Sequence, residues 1–133
     1  MMPGGTWRLA QTLRGHRDMV TCVATDGEGR VVSGGHDCTV RIWAGTGGPG
    51  LQGYLASSVC VATMSGHNNW VTCVAFAEGD RIVVSGGEDS TVMLWRADRG
   101  REGQPLRKFE GGGTRRGKSS LSIAHPSTCM LLH

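Results

Sequence analysis

The chain contains two copies of one segment, and this internal repeat limits the possible folds more than any other feature. Gly-His at 15–16 recurs at 66–67, so the two histidines are 51 residues apart. The pentapeptide Val-Thr-Cys-Val-Ala at 20–24 recurs letter for letter at 71–75. A fixed internal period indicates a repeat architecture, in which each copy folds into the same supersecondary unit.

The agreement continues after a one-residue insertion. Val-Val-Ser-Gly-Gly at 31–35 returns at 83–87, and Asp37, Thr39-Val40 and Trp43 return as Asp89, Thr91-Val92 and Trp95. Short β-type runs bounded by turn residues predict strands. The paired glycines, which match neither G-x-G-x-x-G nor a Walker A loop, are interpreted as hairpin glycines. We therefore predict four antiparallel strands per copy, at 20–24, 30–33, 39–43 and 59–64 in the first and at 71–75, 81–85, 91–95 and 106–109 in the second.

The order Gly-His, Ser-Gly-Gly-x-Asp-x-Thr-Val and then Trp resembles the WD40 repeat, over about residues 7–110. The resemblance implies an all-β fold, a fragment of a WD40-type β-propeller with four-stranded antiparallel blades. A blade of this family has ~40–45 residues, and the glycine-rich segment 44–58 explains the longer spacing here as an enlarged loop. The chain departs from the family where Ala44 and Arg96 follow the tryptophans in place of aspartate.

The repeat divides the chain into four parts. Residues 1–14 are expected to supply an outer strand, at 7–13, to a neighbouring blade. Residues 15–65 form WD repeat 1, and residues 66–110 form WD repeat 2. Residues 111–133 are interpreted as a basic connector followed by a divergent or truncated third blade, with an unrelated tail as the alternative.

Four polar or aromatic residues recur in each copy, and the resemblance implies that each set forms a hydrogen-bonded structural tetrad. A buried indole N–H needs an acceptor, which a serine hydroxyl provides. The same hydroxyl can donate to a histidine, whose other ring nitrogen can donate to an aspartate. The two tetrads are His16, Ser33, Asp37 and Trp43, and His67, Ser85, Asp89 and Trp95.

Serine, histidine and aspartate together also raise the alternative of a hydrolase triad. The chain has no G-x-S-x-G elbow, because Ser33 and Ser85 each lie in Val-Val-Ser-Gly-Gly. The set also occurs twice, each time with a tryptophan that would occupy the hydroxyl. A duplicated set favours a structural motif over a catalytic site, so we expect neither catalysis nor a cofactor.

Cysteine usage and hydropathy exclude several other classes. The five cysteines form no C-x-x-C pair, which argues for reduced thiols and against a zinc site. No apolar run approaches the ~20 residues of a membrane span. The N-terminus has no signal-peptide pattern, so a cytoplasmic or nuclear location is expected and no membrane partner.

The basic excess lies in the last third of the sequence. Residues 1–95 carry six Arg/Lys against eight Asp/Glu, whereas residues 96–133 carry eight against three. A nucleic-acid interface would rest on these eight, which have almost no aromatic residues among them for base stacking. We therefore favour solvated loops over nucleic-acid binding for Arg96, Arg99, Arg101, Arg107, Lys108, Arg115, Arg116 and Lys118.

Function is expected in loops presented on a rigid scaffold. The sequence predicts a protein-protein interaction scaffold or adaptor that binds other proteins or peptides. The alternatives are a nucleic-acid or histone-associated propeller, and a non-functional truncated isoform or regulatory fragment of a larger protein. Trp70 is the leading candidate, either as an exposed contact or packed against the neighbouring blade. The candidate partner-binding residues are Arg17, Met19, His36, Asn68, Trp70 and Glu88.

Two blades do not close a propeller, which takes roughly four to eight. Each unclosed side exposes apolar surface and strand edges. We expect the remaining blades to come from a longer chain or by self-association, and the chain alone to oligomerise or aggregate.

Overall fold

The computed structural model describes residues 6–45, 47, 57–97 and 105–111. These residues form eight β-strands, and none of them lies in a helix. Most strands begin within a residue or two of the predicted positions and several extend further. The strands are β1 (Val20–Thr25), β2 (Val31–Gly35), β3 (Thr39–Gly45), β4 (Ser58–Ser65), β5 (Val71–Ala77), β6 (Ile82–Gly87), β7 (Thr91–Arg96) and β8 (Arg107–Glu110).

The strands form two four-stranded sheets with the same topology. Sheet 1 has the order β1-β2-β3-β4 and sheet 2 the order β5-β6-β7-β8. Every neighbouring pair is antiparallel. The short connections from the first strand to the second and from the second to the third require this arrangement in each sheet. The predicted all-β fold with four-stranded antiparallel blades is confirmed.

The two sheets also share their register, down to one irregularity. Cys22 pairs with Gly34 in sheet 1, and Cys73 pairs with Gly86 in sheet 2. In each first strand the register shifts between the valine that begins the strand and this cysteine. A bulge bends the strand and increases its twist, so both sheets curve at the same point.

The sheets pack face to face, with β5 lying against β1 and β2. A single apolar cluster crosses from one sheet to the other, so neither sheet has a separate core. Burial of apolar surface between sheets is the main stabilising contribution in such a layered fold. The largest side chains of this cluster that are fully buried are Val32, Val40, Ile42 and Met64 from sheet 1 and Val71, Val74, Val83, Met93 and Trp95 from sheet 2.

The paired glycines serve close packing, which corrects their interpretation as turn residues. Gly35 ends β2, and a Cβ there would lie 2.6 Å from the carbonyl oxygen of Met19. The left-handed conformation in the turn belongs to Cys38, with φ 68°, and to Ser90 at the matching position, with φ 66°. The backbone N–H of Cys38 donates to the carbonyl oxygen of Gly35, and that of Ser90 donates to the carbonyl oxygen of Gly87, each at 3.1 Å. These hydrogen bonds close the two turns.

The two ends of the chain differ in what the structure describes. Residues 7–13 are described but form no strand, so the predicted outer strand is not present here. A strand needs a ladder partner, and the described sheets already end at β4 and β8. The assignment of residues 1–14 to a neighbouring blade stays a prediction, and the predicted connector and third blade at 111–133 lie outside the described residues apart from Gly111.

Replacing Gly34 with alanine is expected to loosen the contact between the sheets. A Cβ at this position would overlap Cγ1 of Val71 and lie 3.0 Å from Sγ of Cys22. Overpacking of this kind costs about 1–3 kcal/mol, measured as a decrease in the free energy of unfolding in urea. Gly27→Ala is the control, because a Cβ there has no atom within 4 Å. Equal stability of the two variants would contradict the described packing.

Candidate functional site

The structure brings the four recurring side chains of the first copy together. His16 lies before β1, Ser33 in β2, Asp37 in the turn after β2 and Trp43 in β3. The indole nitrogen of Trp43 donates to Ser33 Oγ at 2.9 Å, and the same oxygen lies 2.7 Å from His16 Nε2. His16 Nδ1 lies 2.9 Å from Asp37 Oδ2.

The second copy repeats this geometry. Trp95 donates to Ser85 Oγ at 2.8 Å, and His67 Nε2 lies 2.8 Å from the same oxygen. His67 Nδ1 lies 3.1 Å from both carboxylate oxygens of Asp89. Each network therefore ties the loop that enters a sheet to the second and third strands of that sheet and to the turn between them.

The donor and acceptor inventory fixes the direction of these bonds. An indole N–H only donates and an ionised carboxylate only accepts. The serine hydroxyl thus accepts from tryptophan and donates to histidine Nε2, while Nδ1–H donates to the aspartate. All members are satisfied when the imidazole is neutral with its proton on Nδ1, which is the condition under which a buried network stabilises the fold.

Asp37 binds residues of the surrounding loops in addition to His16. It accepts from the backbone N–H of Arg17 at 2.9 Å and from Oγ1 of Thr39 at 2.8 Å. Burial would raise the pKa of this carboxyl, but the hydrogen bonds from Arg17, His16 and Thr39 outweigh burial and lower the pKa to about 2. Asp89 has the matching bonds to Asn68 and Thr91, and its pKa is also lowered despite its burial.

The surroundings of Ser33 and Ser85 do not suit a nucleophilic serine. Ser85 is completely buried and Ser33 nearly so, and each hydroxyl is already shared between an indole and an imidazole. A nucleophile needs access to its substrate and a hydroxyl free to attack. The geometry of both sets is therefore that of a structural network.

The structure places Trp70 at the boundary between the two sheets. Its ring stacks on His36 of sheet 1, with ring centroids 3.8 Å apart and planes inclined by 10°. The residue nevertheless keeps 46% of its surface exposed. Trp70 therefore combines the two predicted roles, because its ring packs on the neighbouring sheet and is also exposed to solvent.

The other candidate residues lie in the loops before β1 and β5 and in the turn after β6. His36 donates its backbone N–H to the carbonyl of Met19, and Glu88 donates to the carbonyl of Trp70, both at 2.8 Å. Arg17 and Asn68 hold matching places, because their N–H groups bind the two network aspartates. We call these six residues the loop face; all are exposed except His36, which is half-buried: Arg17, Met19, His36, Asn68, Trp70 and Glu88.

Sequence reasoning missed a second contact between the sheets. Arg30, just before β2, pairs with Asp26 at 2.6 Å and donates to the carbonyl of Ala97 at 2.8 Å. Its guanidinium also donates to the carbonyl of Asp80 and lies 5.0 Å from the ring centroid of Phe76. An arginine fork can bridge several acceptors in this way. The only sequence difference that pointed to this contact is that Ala77 stands in the second copy where Asp26 stands in the first.

Neither a metal-binding cluster nor a membrane-spanning helix is present in the described part of the chain. No group of three or more His, Cys, Asp or Glu side chains there is placed to hold a metal ion. Among the same residues, no helix is long and apolar enough to cross a membrane.

Removal of one carboxylate from a network is expected to destabilise the fold. Asp37→Ala leaves His16 Nδ1 and the N–H of Arg17 without their acceptor. The expected loss in the free energy of unfolding is ~2–5 kcal/mol, because buried partners become unsatisfied. Glu28→Ala, an exposed carboxylate in the β1–β2 turn, should change it by less than about 0.5 kcal/mol. Equal losses in the two variants would show that the network does not stabilise the fold.

The lowered pKa of Asp37 also predicts how stability depends on acid. Because the folded pKa lies below the unfolded value of 3.8, ionisation favours the folded state above that value. This contribution fades as the pH falls from about 4 towards 2, where the unfolded and then the folded carboxyl is protonated. The difference in unfolding free energy between the wild type and Asp37→Asn should therefore shrink over this interval. A difference that stays constant would contradict the assigned hydrogen bonds.

Comparison with known proteins agrees with this geometry. The sequence profile described as WD domain, G-beta repeat matches residues 7–44 and 58–96, which is more than half of the chain. These segments contain both networks, six of the eight described strands in full, and β3 except for Gly45.

Three curated relatives illustrate the range of proteins that share these repeats. Nuclear distribution protein PAC1 of Gibberella zeae is 31% identical over 81 residues, which is 61% of this chain and 15% of that protein. A chromatin assembly factor 1 subunit from Gallus gallus is 30% identical over 83 residues, 62% of this chain and 14% of that protein. DENN domain and WD repeat-containing protein SCD1 of Arabidopsis thaliana is 26% identical over 106 residues, 80% of this chain and 8% of that protein.

The chain thus spans less than a sixth of the length of each of these three relatives. On the profile match and on this structure, the protein belongs to the WD40 repeat family, as a partial propeller with two described blades.

Proposed function

We propose that the protein is a non-catalytic scaffold that binds other proteins or peptides through the loop face. The observation that carries the proposal is Trp70, which is held flat against His36 and is still 46% exposed. A tryptophan fixed in one orientation loses little conformational freedom on binding, and tryptophan is enriched among residues that dominate binding energy.

The surroundings of Trp70 suit recognition of a polypeptide. Arg17 and Glu88 offer charges of both signs, Asn68 offers an amide, and Met19 adds an adaptable apolar side chain that is 61% exposed. An apolar centre with a polar rim is the usual composition of a protein interface. The two networks below hold the loops rigid, so little ordering cost is added when a partner binds.

The membership of the family supports this kind of function and a location in the cytoplasm or nucleus. Two relatives carry names that refer to nuclear distribution and to chromatin assembly. These names belong to much longer proteins, so the partner proposed for this chain is defined by chemistry alone: a peptide with an apolar side chain able to cover the exposed indole.

Selection of binders tests the proposal directly. A displayed random-peptide library would be panned on the immobilised chain, and selected peptides would be measured by isothermal titration against the wild type and Trp70→Ala. We expect the variant to lose on the order of 30-fold in affinity, since a hot-spot side chain contributes ~2 kcal/mol or more.

The matched control is Phe109→Ala, which removes an aromatic ring that is 49% exposed on β8, outside the loop face. It should leave the affinity of the selected peptides within a factor of about two, as expected of a residue away from the interface. Peptides that bind Trp70→Ala as well as the wild type would contradict the proposed site.

A second candidate function, association with chromatin or nucleic acid, is favoured by one relative, the protein named for chromatin assembly. Of the eight basic residues from 96 to 118, three are described, and Lys108 already pairs with Glu110 at 3.2 Å. Binding of labelled duplex DNA with a steep salt dependence, reduced when these eight residues are changed to glutamine, would support this candidate. Absence of such binding would leave the peptide-binding scaffold.

A further inference from the structure

A row of three paired residues on sheet 2 is covered by sheet 1. Val74, Ser85 and Met93 pair across β5, β6 and β7, and residues that pair across neighbouring strands lie on the same face of a sheet. Val74 and Met93 are each 1% exposed, and Ser85 is 0% exposed. Val74 and Met93 also belong to the apolar cluster that joins the two sheets, so this face of sheet 2 packs against sheet 1.

The same row on sheet 1 is exposed to solvent at its first strand. It consists of Val23, Ser33 and Arg41, which pair across β1, β2 and β3. Val23 is 55% exposed, and Val20, which begins the same strand, is 47% exposed. Their counterparts in sheet 2 are buried in the contact between the sheets. We call the surface formed by Val20, Val23 and Arg41 the open face.

The third residue of the row differs between the two copies, although both side chains end beside the glycine of Gly-His. A Cβ at Gly15 would lie 3.1 Å from a guanidinium nitrogen of Arg41. A Cβ at Gly66 would lie 3.3 Å from Sδ of Met93. Methionine suits an apolar contact between sheets, whereas an arginine keeps its charge and its five donors. A sheet that covers Arg41 in the same way must therefore accept hydrogen bonds from it.

The hydrogen bonds of Arg41 are incomplete within the described part of the chain. Its Nε is buried and has no hydrogen-bond partner among the described residues. Its Nη1 lies 3.7 Å from Sγ of Cys60, and sulfur is a weak acceptor. Buried polar groups in proteins nearly always have a partner. The unpaired donor therefore indicates an acceptor on whatever covers the open face.

We propose that the open face packs against a partner β-sheet that carries one aspartate or glutamate opposite Arg41. The partner sheet lies on sheet 1 as sheet 1 lies on sheet 2, with aliphatic side chains over Val20 and Val23. Its carboxylate accepts from the guanidinium, a pairing that can form two parallel charge-assisted hydrogen bonds. The open face shares no residue with the loop face, so this inference does not rest on the proposed function.

Charge argues against a second copy of this chain as the occupant. Ala62 pairs with Ile42 on the face of sheet 1 that sheet 2 covers, and Arg107 pairs with Leu94 at the matching place in sheet 2. A second copy that offered this face of sheet 2 would bring Arg107 to a contact that already contains a guanidinium. Like charges in such a contact are unfavourable.

Unfolding of the full chain in urea tests whether the donor of Arg41 is open. Arg41→Met puts the residue of the second copy into the first, and its midpoint should equal or exceed that of the wild type, because no buried donor is left unsatisfied. A lower midpoint would show that the guanidinium already has an acceptor within the chain, which would overturn the proposal.

Outside the described ranges, the sequence holds two acidic residues, Asp98 and Glu102. Changing both to their amides should leave the midpoint of unfolding unchanged. A loss of stability that appears in the wild type and not in Arg41→Met would assign the acceptor to this chain's own residues, and would also overturn the proposal.

A displayed library of β-hairpin peptides tests the chemistry of the partner. The library fixes valine at alternate positions and is panned on the full chain after depletion on Val23→Glu, so that ligands of the open face remain. We expect aspartate or glutamate to be enriched at one position of the selected peptides. Changing that residue to its amide should weaken binding to the wild type about tenfold, and binding to Arg41→Met less than about twofold.

The matched control for Val23→Glu is Val59→Glu. Val59 pairs with Ala44, the neighbour of Trp43, so it lies on the opposite face of sheet 1 from the tryptophan. This variant, folded by circular dichroism, should bind the selected peptides as the wild type does, and so should Trp70→Ala, which separates this test from that of the loop face. Selected peptides without a carboxylate, an equal loss on the wild type and Arg41→Met, or no selected peptides would overturn the proposal.

Discussion

A buried indole N–H must find an acceptor, and the way this chain satisfies that need organises both sheets. Trp43 and Trp95 each donate to a serine on the adjacent strand, and that serine bonds to a histidine from the entering loop. An unsatisfied buried donor would cost about 1–3 kcal/mol. The requirement therefore fixes the strand order locally and holds the loop to the end of the sheet.

The proposed function depends on rigid loops. The aspartate of each network binds the backbone of the residue after the histidine, so the loop residues start from a fixed point. Met19 and Trp70 follow within a few residues, and Trp70 lies at the boundary between the sheets, where it stacks on His36. The network thus stabilises the fold and positions the loop face at the same time.

The sequence predicted the features that occur in both copies. The pentapeptide at 20–24 and 71–75 indicated the first strand of each sheet, and the Ser-Gly-Gly-x-Asp pattern indicated the second strand and its turn. The four side chains of each copy lie together because regular strand geometry and the hairpin bring those positions together. Such contacts lie within one sheet, so the sequence pattern of a single copy is enough to predict them.

The contacts that the sequence did not predict are those where the copies differ. Trp70 stacks on His36, yet their counterparts are Met19 and Glu88, so comparison of the copies gave no signal for a pair. The contacts of Arg30 likewise depend on the angle between the sheets, which periodicity within one sheet does not contain. The sequence did not predict the positive φ of Cys38 and Ser90, because the neighbouring glycines were the residues expected to adopt the left-handed conformation of the turn.

The most direct test of the central claim is the protonation state of His16 and His67, measured by long-range hydrogen–nitrogen NMR correlation. We predict that both imidazoles adopt the tautomer with the proton on Nδ1, and that the indole N–H groups of Trp43 and Trp95 exchange with solvent only through unfolding. Rings that carry the proton on Nε2, or rapidly exchanging indole protons, would show that the two networks do not hold the sheets.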